Sequence, residues 1–223
     1  MHFFKVPTIL PVLVPSAIWR VRTSEKMIFL TFDDGPHPEV TPWVLSVLAQ
    51  YNAKATFFCV GNNLSQFPHV ANEILNQGHH LGNHTYHHIK GWSTKNTHYF
   101  TEIEQTEALL DEVYKDCKKN KPTKSAFRPP YGRITPSQLK WAKKRNIPVI
   151  MWTLLSCDYD PRLNCDNALA TLRNKIKPGN IVVFHDSQKA FPQLKKLLPA
   201  FLDFLVNQGF SMGLFSSNLI NNK

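Results

Sequence analysis

The feature that most constrains this chain is an alternation of short β-rich apolar runs with longer helix-like segments, repeated from Met27 to Leu214. Met27–Phe32, Ala55–Val60, Pro148–Thr153 and Asn180–Phe184 have the length and composition of buried strands. Shorter stretches at His79–Gly82, Ser125–Phe127 and Phe210–Leu214 extend the series. Helix candidates fall between them at Thr41–Tyr51, Pro68–Gln77, Lys95–Cys117, Pro136–Asn146, Asn167–Ile176 and Gln193–Gln208. Pro42 suits a first helical turn and Gly78 a helix end. About seven β/α steps predict an α/β fold with a parallel sheet and outer helices. Periodicity alone fits both a closed or partly closed barrel and an open doubly wound sheet. The 223 residues suit one large domain, and 43% hydrophobic residues are enough for its core.

Polar residues gather just after the predicted strands, where a parallel barrel would bring them to one rim. The first cluster runs from Thr31 to His37 and holds Asp33 and Asp34, whose neighbouring side chains diverge. One could bind a metal while the other acts as a base, although Asp-Asp-Gly-Pro is also ordinary turn chemistry. The second has five histidines within residues 79–88. His84 and His88 have the i, i+4 spacing that sets two imidazoles on one side of a helical turn. His79, His80 and His87 are expected to serve structure or the rim. The third is Arg128-Pro129-Pro130-Tyr131-Gly132, in which the prolines leave the N–H of Tyr131 conspicuous beside a fixed Arg. Alone it would be read as a rigid loop. The fourth is Asp158 with Tyr159, and the fifth is His185 with Asp186. Each of those could be merely a cap or a satisfied core residue. Together the clusters supply the parts of a metal-assisted hydrolase.

The TFDDG, HTxxH, RPPYG and FHD segments resemble, in order, the motifs of the polysaccharide deacetylases of carbohydrate esterase family 4, the NodB-homology group. The resemblance covers about residues 20–215. It implies a distorted (β/α) barrel and one divalent metal, usually Zn2+, with Co2+, Ni2+ or Mn2+ as alternatives. By resemblance Asp34, His84 and His88 are the metal ligands and Asp33 is the general base. Arg128 orients that base and keeps it ionised, His185 is the general acid, and Asp158 supports His185. The N–H of Tyr131 matches an oxyanion donor, and Pro130, Tyr131, Tyr159 and Val183 are expected to touch substrate. The fourth motif departs from the family's DxxDW, with Leu155 at the first acidic position and Tyr159 at the tryptophan. Val183 replaces the usual leucine of the last motif. These changes bear on the substrate rather than on the reaction.

The expected activity is removal of N-acetyl groups from N-acetylglucosamine units of a poly- or oligosaccharide. An O-acetyl esterase, a cyclic-amide hydrolase and a catalytically silent glycan-binding module are the competing readings. Net charge is uneven: residues 112–223 carry 19 Lys/Arg against 7 Asp/Glu, much of it in runs 115–124 and 140–145. That half could meet an anionic glycan or a membrane surface, although a solvated helix exterior is the simpler explanation. No nucleic-acid motif accompanies the charge, so no nucleic-acid partner is expected. Cys59, Cys117, Cys157 and Cys165 form no CxxC pair and are expected to be free thiols. Residues 1–20 are read as a leading segment packed on the domain formed by residues 21–223. Met1–Trp19 is apolar, but prolines interrupt it, no small-x-small cleavage site is clear, and it is too short to span a bilayer. A monomer in the cytoplasm or at the cell envelope is the expectation.

Overall fold

A computed structural model describes residues 4–7, 11–12, 14–121 and 125–215. Six strands are present among them: β1 (Met27–Asp33), β2 (Ala55–Cys59), β3 (His80–Asn83), β4 (Leu154–Leu155), β5 (Ile181–His185) and β6 (Ser211–Met212). The helices are α1 (Val40–Gln50), α2 (Gly61–Gln66), α3 (Pro68–Asn76), α4 (Asn96–Asp116), α5 (Pro136–Lys144), α6 (Cys165–Lys175) and α7 (Phe191–Asn207). All strand ladders are parallel, in the order β3-β2-β1-β5-β4, and β6 pairs with the start of β1.

The architecture is a distorted (β/α) barrel, and the distortion lies in its closure. Two expected strands, 125–127 and 148–153, are reduced to isolated bridges linking Asn83 to Phe127 and Phe127 to Val149. The backbone of residues 148–156 bonds on one side to Phe127 and on the other to Ile181 and Val183. This segment is the seam. It joins the β3 edge to β5, but only the Leu154–Leu155 end of it, two residues beyond the expected strand, makes a regular ladder. Ile18 enters the seam as well, bonding to Val149 and Met151, so part of the leading segment interrupts regular pairing there. Lys5 bridges Leu154 in antiparallel fashion.

Helix limits follow local chemistry. Thr135 and Gln138 form a reciprocal capping box at α5, with Pro136 in its first turn. Asn164 caps α6 by accepting from the N–H of Asn167. Lys143 and Lys144 of the second basic run lie in the last turn of α5, where cations complement the helix dipole. In the first run, Lys121 bonds to Glu107 and Asp111, while positions 122–124 lie outside the described residues. The four cysteines are free thiols.

Candidate active site

Strand alternation sets the site. In β1, Ile28, Leu30 and Phe32 pack outward with Val44, Leu48, Leu194 and Phe201 of α1 and α7, so Phe29, Thr31 and Asp33 point into the barrel. Strand β5 is registered so that Thr31 faces Val183 and Asp33 faces His185. Two side chains distant in sequence thus leave adjacent strands on the same face and at the same height. Just past the strand, Asp34 has a φ of +79°, which turns its carboxylate away from that of Asp33.

Asp34 meets the histidine cluster. Its Oδ1 lies 3.2 Å from His88 Nε2 and 3.7 Å from His84 Nε2. One donor atom from each of the three residues falls within 4.8 Å of the others. Two imidazoles and one carboxylate suit a divalent transition-metal ion, and the set opens onto a cavity. His84 Nδ1 lies 2.7 Å from the carbonyl oxygen of Arg128, a contact that calls for a proton on Nδ1 and leaves Nε2 for a ligand. Burial pushes His84 down to about 4, so it remains neutral at pH 7, as a metal ligand must. Burial alone would raise Asp34, but the His88 hydrogen bond and the nearby His185 cation hold it well below the usual carboxylate range.

The expected helical turn at His84–His88 is not what brings the two rings together. Thr85 and His88 have φ values of +63° and +55°, incompatible with a right-handed turn. Side chains stabilise the irregular loop instead: Asn83 Oδ1 accepts from Thr85 N–H, and Thr85 Oγ1 accepts from Ile89 N–H. The other histidines have separate partners. Buried His79 accepts from Ala55 N–H through Nδ1, and exposed His87 lies 2.7 Å from Glu102 Oε1.

Arg128 is fully buried and spans the barrel interior. It donates to Asp33 Oδ1 and Thr31 Oγ1, both at 2.7 Å, and to the carbonyls of Ile150 and Met151 in the seam. Its guanidinium also lies 4.1 Å from the Phe58 ring centroid. On the other side of the site, Asp158 accepts the backbone N–H of His185 at 2.9 Å, and its Oδ1 is 2.7 Å from His185 Nδ1. Burial alone would lower His185, but Asp158 overrides it and raises the imidazole to about 9. This ring is a cation at neutral pH.

The cavity has a volume of about 480 Å³ and includes Asp33, Asp34, His84, His88 and His185 in its lining. Tyr131, Tyr159 and Val183 line it. Pro130 does not: it is buried at the start of a 3-10 turn (Pro130–Gly132), and Pro129 faces the cavity instead. The Tyr131 N–H follows these two prolines, in a residue with a φ of +59°. Trp152, Leu155 and Lys189 complete the wall, although sequence reasoning gave Trp152 and Lys189 no role. Asp186 was noticed only beside His185, and it fixes the first cluster. Its carboxylate accepts from Gly35 N–H at 3.1 Å and Thr41 Oγ1 at 2.5 Å. Burial raises it to about 7, and a Cβ on Gly35 would strike it.

Fold and site together define a parallel (β/α) barrel whose C-terminal rim carries a candidate metal centre between an arginine-held carboxylate and a carboxylate-held imidazole. The polysaccharide deacetylase family model matches residues 20–150, and the chain belongs to that family. A peptidoglycan-N-acetylglucosamine deacetylase of Bacillus cereus is 34% identical over 177 residues, covering 77% of this chain and 62% of that protein. The chain therefore spans about three fifths of that relative. A second protein of the same description and organism is 32% identical over 196 residues, covering 86% of this chain and 87% of its own length. A chitooligosaccharide deacetylase of Azorhizobium caulinodans is 29% identical, over 75% of this chain and 77% of that protein. Among solved structures, a peptidoglycan N-acetylglucosamine deacetylase in complex with 4-naphthalen-1-yl-N-oxidanyl-benzamide superposes with a TM-score of 0.79. It is 28% identical and 98% of each chain is covered. A family 4 pseudoenzyme from Bacillus anthracis gives the same TM-score at 26% identity, over 94% of this chain and 70% of that one.

Proposed function

We propose that this protein is a divalent-metal-dependent hydrolase that removes N-acetyl groups from N-acetylglucosamine units of a surface glycan or chitin-like oligomer, releasing acetate. The observation that carries this reading is the convergence of three elements on one cavity: the Asp34–His84–His88 group, the Arg128-held Asp33, and the Asp158-held His185. Similarity to peptidoglycan and chitooligosaccharide deacetylases supports the substrate class. With Asp33, His185 and all three candidate ligands in place, the geometry favours turnover over silent binding.

A cation held by Asp34, His84 and His88 would polarise an acetamide carbonyl and make nearby water more acidic, with Zn2+ the best match and Co2+, Ni2+ or Mn2+ also compatible. The chain's own residues handle the protons. Asp33, oriented by Arg128, takes one from the attacking water as its oxygen bonds to the acyl carbon. The Tyr131 N–H serves the developing negative charge on the carbonyl oxygen. His185 donates its proton to nitrogen as the C–N bond breaks, giving a free amine and acetate. Trp152, Leu155, Tyr159 and Val183 line the cavity, and this wall would enclose the acetyl methyl.

Chelator-stripped protein is expected to lose at least 100-fold in acetate release from chitooligosaccharides, with recovery on adding Zn2+, Co2+, Ni2+ or Mn2+. An unchanged rate after verified metal removal would sink the metal-dependent reading. Faster hydrolysis of acetyl-xylan or cyclic imides than of chitooligosaccharides would reassign the substrate.

The pH profile offers a second test. His185 must be protonated to act, and Asp158 raises its pKa; the working form is therefore present below about pH 9 and lost above it. A bound cation would lower that limit. Asp158→Asn removes the carboxylate that stabilises the imidazolium, so the alkaline limb should move to lower pH by at least one unit. An unmoved limb would remove His185 from the acid role.

A further inference from the structure

We infer that Trp92 and Arg133 form an outlying sugar subsite, which stacks a pyranose ring of the glycan beyond the unit being deacetylated. This inference rests on the glycan reading of the cavity. Trp92 lies at the centre of a 3-10 turn (Gly91–Ser93) that follows the histidine loop, and 65% of it is exposed. Single exposed apolar side chains are ordinary on a protein surface, so the inference rests on how this one is held and where it lies.

This one is also held in place. Its indole Nε1 donates to the Ile134 carbonyl at 3.0 Å. The turn beneath it is fixed by Gly91 N–H to the Arg133 carbonyl at 3.1 Å, and by Gln138 Nε2 to the Gly91 carbonyl at 2.9 Å. A Cβ at Gly91 would collide with Arg133 O and Gln138 Oε1, so glycine is required for this close docking. Holding a large, mostly exposed side chain in one orientation contributes little to the fold itself. It does lower the ordering cost of binding a flat partner.

The position suits a chain-like ligand. Tyr131 lines the cavity, packs against His88 in a tilted arrangement at 4.7 Å between centroids and has Lys90 5.0 Å from its ring centroid. Trp92 is attached to the same backbone only two or three residues further on, and Arg133 lies 5.4 Å from its ring centroid. Through the Ile134 bond Trp92 is tied to the loop that carries Tyr131, so an aromatic face is anchored three residues along the chain from the cavity lining. Pyranose rings present apolar C–H faces edged by hydroxyl oxygens, and an indole flanked by a guanidinium complements both.

Binding of N-acetylglucosamine dimer and tetramer to wild type, Trp92→Ala and Trp92→Phe should be measured by calorimetry, using zinc-loaded protein at low temperature. The tetramer is expected to bind wild type more tightly than the dimer. Trp92→Ala should weaken the tetramer about tenfold, leave the dimer unchanged, and preserve Tm; Trp92→Phe should retain most of the affinity. Equal tetramer affinity in wild type and Trp92→Ala overturns the subsite, as does no preference for tetramer over dimer. The same titrations in an Asp33→Asn background, which the proposed reaction would leave without its base, make the readout independent of turnover. A protein that binds tetramer through Trp92 but releases no acetate would refute the proposed reaction and keep the subsite, whereas active protein indifferent to Trp92 would do the reverse.

Discussion

Asp33→Asn is expected to lower kcat/KM for acetate release by about 10²–10⁴-fold while leaving metal binding intact. Asn has nearly the same shape and can still accept from Arg128 through its carbonyl oxygen, so the loop should stay in place. What disappears is the ability to take a proton from water. Asp34, His84 and His88 are untouched, so zinc stoichiometry should equal that of wild type. Both halves of the result matter. Retention of more than a tenth of the wild-type rate would show that another group serves as base. Loss of zinc along with activity would show that Asp33 acts on the ligands instead.

The largest effect on stability is expected from Arg128→Met, at about 3–5 kcal/mol. Methionine fills much of the space but leaves the Asp33 carboxylate buried without its positive partner. It also leaves the carbonyls of Ile150 and Met151 without the donors that now tie the seam to the interior. Adding Asp33→Asn to this variant should recover part of the loss, because the uncompensated charge is then gone. Urea denaturation of the four proteins in the cycle measures the coupling. Independent, additive losses would mean that Arg128 matters only through its packing against Phe58 and the seam.

The strand–helix alternation made the parallel sheet readable, because buried strands must be apolar and their connections must be amphipathic. The placement of polar clusters after strands also carried information: Asp33 and His185 each end an apolar run and meet at the same height on adjacent strands. Residues 148–153 read as a strand because Val149, Ile150 and Met151 form an apolar, β-rich run; all three are buried, yet the segment makes only bridges. Burial was legible there and regular pairing was not, since Ile18 bonds Val149 and Met151 on the edge that turns to β5 at Thr153. The His84–His88 spacing suggested a shared ion through the wrong local geometry, because side-chain bonds from Asn83 and Thr85 cannot be inferred from periodicity. Trp152, Lys189 and Trp92 stand outside the motifs, and only the folded arrangement shows where they lie. For Asp186 a sequence signal did exist: it adjoins a strand-end histidine and is placed to satisfy a turn far back in the chain.

Asp34, Thr85, His88, Tyr131 and Cys157 all adopt left-handed backbone angles that ordinarily favour glycine. Each such residue costs on the order of 1 kcal/mol in conformational energy. A usual route to a hardier protein, placing glycine wherever φ is positive, is therefore closed at Asp34, His88 and Tyr131, whose side chains form the mouth of the site. Laboratory selection for heat resistance alone should drift toward glycine there and return robust but inert proteins. Selection that also demands turnover should leave these positions alone and find its gains on the outer helices.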